Sequence, residues 1–232
     1  MNFNNYVEKE ERILPVYLLV DTSGSMRGEK IETVNVAVRE MLTAFKKIEN
    51  PKGQINLSII TFGKNGVNVI KKLSPIQDDE SYEFFADGMT PMGETFIELK
   101  KEIRQVPFRA YSPSIILVSD GNPTDYDDYS SDLTIEEIMN WPALKQLHSD
   151  EKASEAVRVA MGIGADVDSN ILHAFINDKN IPLIKAYEID TITKFFKWVS
   201  NSVSVRSLSI NPNQVKVASP DMFDRNEVDF QQ

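Results

Sequence analysis

One carboxylate and two hydroxyls, Asp21, Ser23 and Ser25, follow the apolar run Val16-Tyr17-Leu18-Leu19-Val20 at two-residue intervals. At the end of an extended strand that spacing aims the three oxygens at one spot. Donors of this type suit a hard divalent cation such as Mg²⁺, or Mn²⁺ in its place, which prefers octahedral oxygen coordination. A second carboxylate, Asp120, closes another apolar run, Ile115 to Val118, and the loop Gly88-Met89-Thr90-Pro91-Met92-Gly93-Glu94-Thr95 can bring a third hydroxyl. Two carboxylates held close repel and raise one pKa, and a cation between them removes that cost.

These residues need elements to hold them. Ile13 to Val20 is apolar on both faces, as a central strand of a mostly parallel sheet is. Ile31, Val34, Val38, Met41, Leu42, Phe45 and Ile48 recur at helical spacing from about Glu29 to Lys47. Ile55 to Phe62 reads as a strand, and a turn at Gly63-Lys64-Asn65-Gly66 returns it through Val67 to Leu73 as an antiparallel edge, with Lys71 and Lys72 guarding that edge. A helix carrying Phe96, Leu99 and Ile103 leads to the Ile115 strand. Beyond it, residues 122–152 read as an insertion at the ligand end of the sheet, acidic at first and then helical through Ile135, Ile138, Met139 and Leu144. Ala156 to Ile163 and Ile181 to Ala186 are further strands, Asp168 caps a helix with Ile171, Leu172 and Phe175 inside, and Ile192, Phe195, Phe196 and Val199 mark a last helix. The order β-α-β-β-α-β-α-β-α-β-α predicts an α/β, doubly wound, Rossmann-like sheet with helices on both faces. Ligands of such sheets gather at the carboxyl ends of strands where strand order reverses, which is where Asp21 and Asp120 fall.

The 232 residues fit one globular domain, with residues 1–12 as an N-terminal extension, 13–202 as the domain and 203–232 as a tail. The tail has little periodicity and reads first as flexible, second as an arm wrapping the domain or a partner. Lys+Arg 25 against Asp+Glu 35 gives a net charge of -10, which repels phosphate backbones and disfavours nucleic acid as a partner. With no cysteine, disulfides and thiolate metal sites are excluded. The first twelve residues are polar and acidic rather than basic then apolar, and no apolar run is membrane-length, so a soluble cytoplasmic protein without membrane attachment is the expectation.

Asp21, Ser23, Ser25, then Thr90, then Asp120 resemble, in order, the metal-ion-dependent adhesion site of von Willebrand factor type A domains, with a D-x-S-x-S motif, a distant threonine and an aspartate after a buried strand. The resemblance covers roughly Leu14 to Ser202, and within the family the chain looks most like bacterial proteins of tellurite-resistance loci. It implies binding rather than catalysis: the two serines ligate directly, Thr90 directly or through water, Asp21 and Asp120 directly or by holding waters. A Glu or Asp of a partner protein completes the shell. Thr95 is the other hydroxyl on the loop, but related domains use the earlier threonine. The tellurite-locus likeness also implies a stress-response setting, with a kinase or phosphatase of the same system as a possible partner.

The rival readings are weaker. In a haloacid-dehalogenase-like phosphatase the strand-end aspartate needs a second carboxylate two residues on, and Ser23 stands there. The Gly24 to Lys30 stretch lacks P-loop spacing, and the loop starting at Asp120 lacks the glycine and glutamate of a calcium loop. Asp125, Asp127, Asp128 and Asp132 read as a solvated acidic loop, His148 and His173 as packing or surface residues, and Trp141 and Trp198 as packing. A metal-independent scaffold, binding through the insertion or tail, is the remaining alternative.

Overall fold

The computed structural model describes residues 12–49, 51–120, 122–165 and 167–231. Seven strands form one sheet: β1 (Ile13–Thr22), β2 (Gln54–Gly63), β3 (Gly66–Pro75), β4 (Ser114–Ser119), β5 (Val157–Ile163), β6 (Leu183–Ala186) and β7 (Val228–Asp229). Their spatial order is β3-β2-β1-β4-β5-β6-β7. The inner strands β2, β1, β4, β5 and β6 run parallel, and β3 returns antiparallel on β2, as the Gly63 to Gly66 turn predicts. Both parities of β1 are buried, since Val16, Tyr17, Leu18, Leu19 and Val20 are all fully covered. Strands are added on one side of β1 as far as β3 and on its other side from β4 onward, which makes the β1–β4 junction the switch point.

Among the described residues six α-helices flank the sheet: α1 (Glu29–Lys46), α2 (Met92–Arg104), α3 (Ile135–Ile138), α4 (Pro142–His148), α5 (Ser169–Ile176) and α6 (Ile189–Leu208). The apolar stripe of α1 is buried and the helix packs on α6, with Glu29 and Glu32 in its first turn and Lys46 in its last, both favourable to its dipole. The insertion does not form one helix. A capping box at Thr134 and Glu137 starts α3, Trp141-Pro142 interrupts it, and α4 begins with proline in its first turn and packs on α2. The Trp141 ring stacks on Tyr126 and meets Phe96 edge-on, so the insertion is fastened to the flank of α2.

Two expectations are corrected. Lys71 does not guard the edge against solvent: it is buried and pairs with Glu80 at 2.7 Å and Ser74 Oγ at 2.8 Å, leaving the exposed side to Lys72. The bulge that breaks the β2–β3 register between Leu57 and Ile60 lies opposite Lys71. Nor is the chain after 202 a loose tail. Helix α6 runs on to Leu208, and the remainder is an arm that returns to the far margin of the sheet, where β7 pairs antiparallel with β6 and adds a second antiparallel strand. Isolated anchors fix it: Trp198 donates its indole N–H to Ala218 O at 2.9 Å, Ser202 accepts from Ala218 N, and buried Arg206 ties Pro212 O to the start of β4. Glu227, also buried, takes Thr191 and the Asp224 amide, while its carbonyl accepts from Lys185 N. Anchors without a repeat leave no periodic signal in sequence.

Phe223 meets the Trp198 ring edge-on at 5.9 Å and is nearly covered. Phe223→Ala is expected to lower unfolding free energy by about 3 kcal/mol and to red-shift Trp198 emission in a Trp141→Phe background. A tail that did not pack would leave both unchanged.

Candidate metal centre

Register builds the site. The parallel pairing of β1 with β4 runs through Val20 opposite Val118, so the next residues, Asp21 and Ser119, sit side by side. Ser119 Oγ donates to Asp21 Oδ2 at 2.5 Å, and the chain turns at once so that Ser23 N donates to Oδ1 at 2.8 Å. Asp21 is fully buried. Its neighbours are neutral donors, and among the described residues no cation pairs with it. Burial is the main cause that pushes its carboxyl up to about 6; the Ser119 and Ser23 hydrogen bonds oppose the shift and the charge of Asp120 adds to it.

From Asp21 a line of oxygens continues outward. Ser23 Oγ lies 3.0 Å from Ser25 Oγ, and Ser25 Oγ donates to Asp120 Oδ1 at 2.7 Å. Ser25 is exposed whereas the Asp120 side chain is covered, so the line runs from the sheet end to the surface. The other oxygen of Asp120 pairs with Lys30. Asp21, Ser23, Ser25 and Asp120 are therefore brought together.

The segment leading into Thr90 is tied to the same rim through its backbone. Gly24 N donates to Gly88 O at 3.0 Å and Asp87 N to Thr22 O at 2.8 Å, which lays the 86–90 segment against the loop after β1. Gly88 has φ +87°, and a Cβ there would lie 2.3 Å from Lys64 Cα, so the close approach needs glycine. Thr90 is buried; its N–H donates to Thr124 Oγ1 and its carbonyl accepts from Thr124 N, both at 3.0 Å. The hydroxyl of Thr95, by contrast, returns to Pro91 O at 2.8 Å inside α2 and is fully buried, which turns it away from this rim.

Sequence reasoning left out several residues. Ser119 and Lys30 contact the two carboxylates, and Thr124 pins Thr90. Asp87 gathers Arg27 and Lys64 (2.6 Å) beside the loop after β1. Asp125 is half-buried and has a structural task besides: it accepts from Gly93 N at 3.1 Å and Glu94 N at 2.8 Å and so caps α2, which has no cap of its own at Pro91. Asp127, Asp128 and Asp132 are exposed. Asn177 donates to His148 Nδ1 at 2.9 Å, and burial, with Arg158 near, pushes this imidazole down to about 3; His173 is buried beside Asp229 at 3.3 Å. Both are packing residues.

The donor set fits a hard divalent cation. It offers two carboxylates and hydroxyls, with no imidazole or thiolate to favour a softer ion. Among the described residues no group of three or more His, Cys, Asp or Glu could hold a metal, so any ion here relies on the hydroxyls. The buried carboxylate of Asp21, with neutral donors and the charge of Asp120 near it, is what such an ion would neutralise.

The sign of the Asp21 shift makes a check possible in chelator. A carboxyl whose folded pKa lies above its ordinary value costs stability when ionised, at pH above about 6, and the cost fades as pH falls through 6 toward 4. Asp21→Asn should therefore stabilise the metal-free fold at pH 7.5, by at most about 3 kcal/mol, and lose most of that gain at pH 4.5. Urea unfolding at the two pH values measures it, and equal effects at both would contradict the assignment.

The von Willebrand factor type A domain family model matches residues 16–198. A comparison with curated protein sequences gave no match. Among solved structures, a von Willebrand factor type A protein from Catenulispora acidiphila is similar at TM-score 0.63 and 15% identity, over 83% of this chain and 43% of that one. The vWF domain of the type V pili tip protein Mfa5 from Porphyromonas gingivalis is similar at TM-score 0.63 and 10% identity, over 92% and 99%. Proximal thread matrix protein 1 from the mussel byssus, in a form with a zinc-occupied MIDAS motif, is similar at TM-score 0.57 and 16% identity, over 84% and 46%. The chain spans less than half the length of the first and third of these structures. At such identities the likeness shows a shared fold.

Proposed function

We propose that this chain, which belongs to the von Willebrand factor type A domain family, is a metal-dependent protein-binding module and not an enzyme. The observation that carries the reading is the line of oxygens from Asp21 through Ser23 and Ser25 to Asp120, which starts at a fully buried carboxylate paired with neutral donors. A divalent cation, Mg²⁺ or Mn²⁺, would be held by Asp21, Ser23, Ser25, Thr90 and Asp120. Bound there, it supplies a Lewis-acidic point for an anionic oxygen. The zinc-occupied MIDAS of the mussel protein supports this by analogy of fold.

What the chain's own residues do is position and exclude. The Ser119 and Ser23 hydrogen bonds fix the Asp21 carboxylate, the Gly88–Gly24 and Thr124–Thr90 ties fix the threonine, and exposed Ser25 leaves the outer side open. An acidic side chain of a partner protein would be the anion, because Asp21 and Asp120 would repel it unless a cation intervened. The Ser23 and Ser25 hydroxyls bond each other and Asp120, and among the described residues no histidine stands beside them as a base. The partner we favour is a protein of a bacterial tellurite or stress-response system, such as a kinase or phosphatase, in the cytoplasm, on the resemblance of the motif-bearing region to that group. Among the described residues no helix is long and apolar enough to cross a membrane.

Mn²⁺ titration by calorimetry should show one ion per chain, weakened more than about tenfold in Asp21→Ala and in Ser23→Ala, with far-UV circular dichroism retained. Pull-down of an acidic partner should then fail in chelator and in both variants. Unchanged Mn²⁺ binding in folded variants would refute the ligand set, and capture that survives chelation would refute metal dependence.

A further inference from the structure

Asp120 has a cation already. Lys30, the second residue of α1, places its ammonium on Asp120 Oδ2 and 3.2 Å from the carbonyl of Ser25, while Ser25 Oγ holds Oδ1 at 2.7 Å. The two residues that hold the ammonium are thus both in the proposed metal set. Burial is unequal across the pair: the Asp120 side chain is 0% exposed and that of Lys30 is 33% exposed. On its far side Nζ faces the turn after β5, where a Cβ added to Gly164 would come 4.0 Å from it. Asp21, in contrast, has neutral partners at the other end of the same line of oxygens.

We infer that Lys30 is a resident counter-ion of Asp120 which a divalent ion must displace, so that this one side chain sets how tightly the site takes metal. The inference rests on the metal-site reading above. A covered carboxylate left without a positive partner is strongly penalised, so in the absence of metal the ammonium performs a necessary task. A doubly charged ion on Asp120 would repel an ammonium against the same carboxylate, and attraction for Asp120 cannot be given in full to both. Lysine suits a displaceable role: it is a point charge on a flexible stem, here one-third open to solvent, and it can withdraw without dragging the backbone of α1. Two aspartates, a divalent ion and the nearby ammonium together leave one positive charge, which an arriving carboxylate neutralises. Displacement therefore also prepares the site for an acidic partner.

The experiment is Mn²⁺ titration of the full chain, read by the loss of the free-ion EPR signal, together with thermal unfolding in chelator. Lys30→Met is expected to tighten the apparent Mn²⁺ dissociation constant by about tenfold and to lower the metal-free midpoint. Lys30→Arg keeps a charge in place and should bind Mn²⁺ nearly as the natural chain does. Lys64→Met removes an exposed charge beside the same loop and should change affinity far less. Unchanged or weaker Mn²⁺ binding in Lys30→Met, or an equal gain in Lys64→Met, would overturn the counter-ion role while leaving the metal site standing. No Mn²⁺ binding by either the natural chain or Lys30→Met would overturn the metal reading itself, and this inference with it.

Discussion

Two acidic side chains are held at the ends of adjoining parallel strands, and at least one of them is sealed from water. That is the constraint around which the upper end of this domain is organised. Desolvation makes ionised carboxylates here costly, and donors answer that cost: for Asp21 a serine alongside on β4 and a serine amide two residues on, for Asp120 the Ser25 hydroxyl and Lys30. Replacing Ser119, Ser25 or Lys30 by an apolar residue would take a donor from a covered carboxylate oxygen.

The fold supplies this arrangement through topology. Because β1 and β4 pair in parallel on either side of the reversal in strand order, the loops that leave them open on the same side. The 86–90 segment belongs to neither strand and has to be sewn in. Backbone hydrogen bonds to Thr22 and Gly24, the Asp87 pairs with Arg27 and Lys64, and the Thr124 clamp do so. The Asp125 cap on α2 makes the insertion part of the same fastening, so the acidic stretch after β4 supports the rim from its flank.

Much of this was legible in the chain itself. Alternation and helical spacing give the long strands and α1 to within a few residues, because burial on two faces imposes those periods on Val16 to Val20 or Ile31 to Phe45, whereas the last turns of α6 read as tail. The D-x-S-x-S spacing and the strand-terminal Asp120 are visible because local sequence alone fixes where their side chains emerge. Ser119, Lys30, Thr124 and Asp125 were not visible as parts of the site, since each acts across the fold on a residue distant in sequence, except where Lys30 reaches only to Ser25. The arm after α6 ranks second to a flexible tail for a related reason: Arg206, Phe223 and Glu227 are single anchors, and one buried residue at a time has no period. Lys71 misled because a charged residue in an edge strand ordinarily faces water, and here Glu80 and Ser74 draw it inside.

The short strand β7 has a consequence for self-association. Without it, β6 would present a row of unpaired amides and carbonyls, a ready template for a second molecule's backbone. By laying Val228 and Asp229 there and locking them with Lys185–Asp229 and the buried Glu227, the chain pairs part of that edge itself. The arm thus cuts the open edge on this margin to the two residues of β7, whereas the opposite margin is bordered by the full length of β3, Gly66–Pro75.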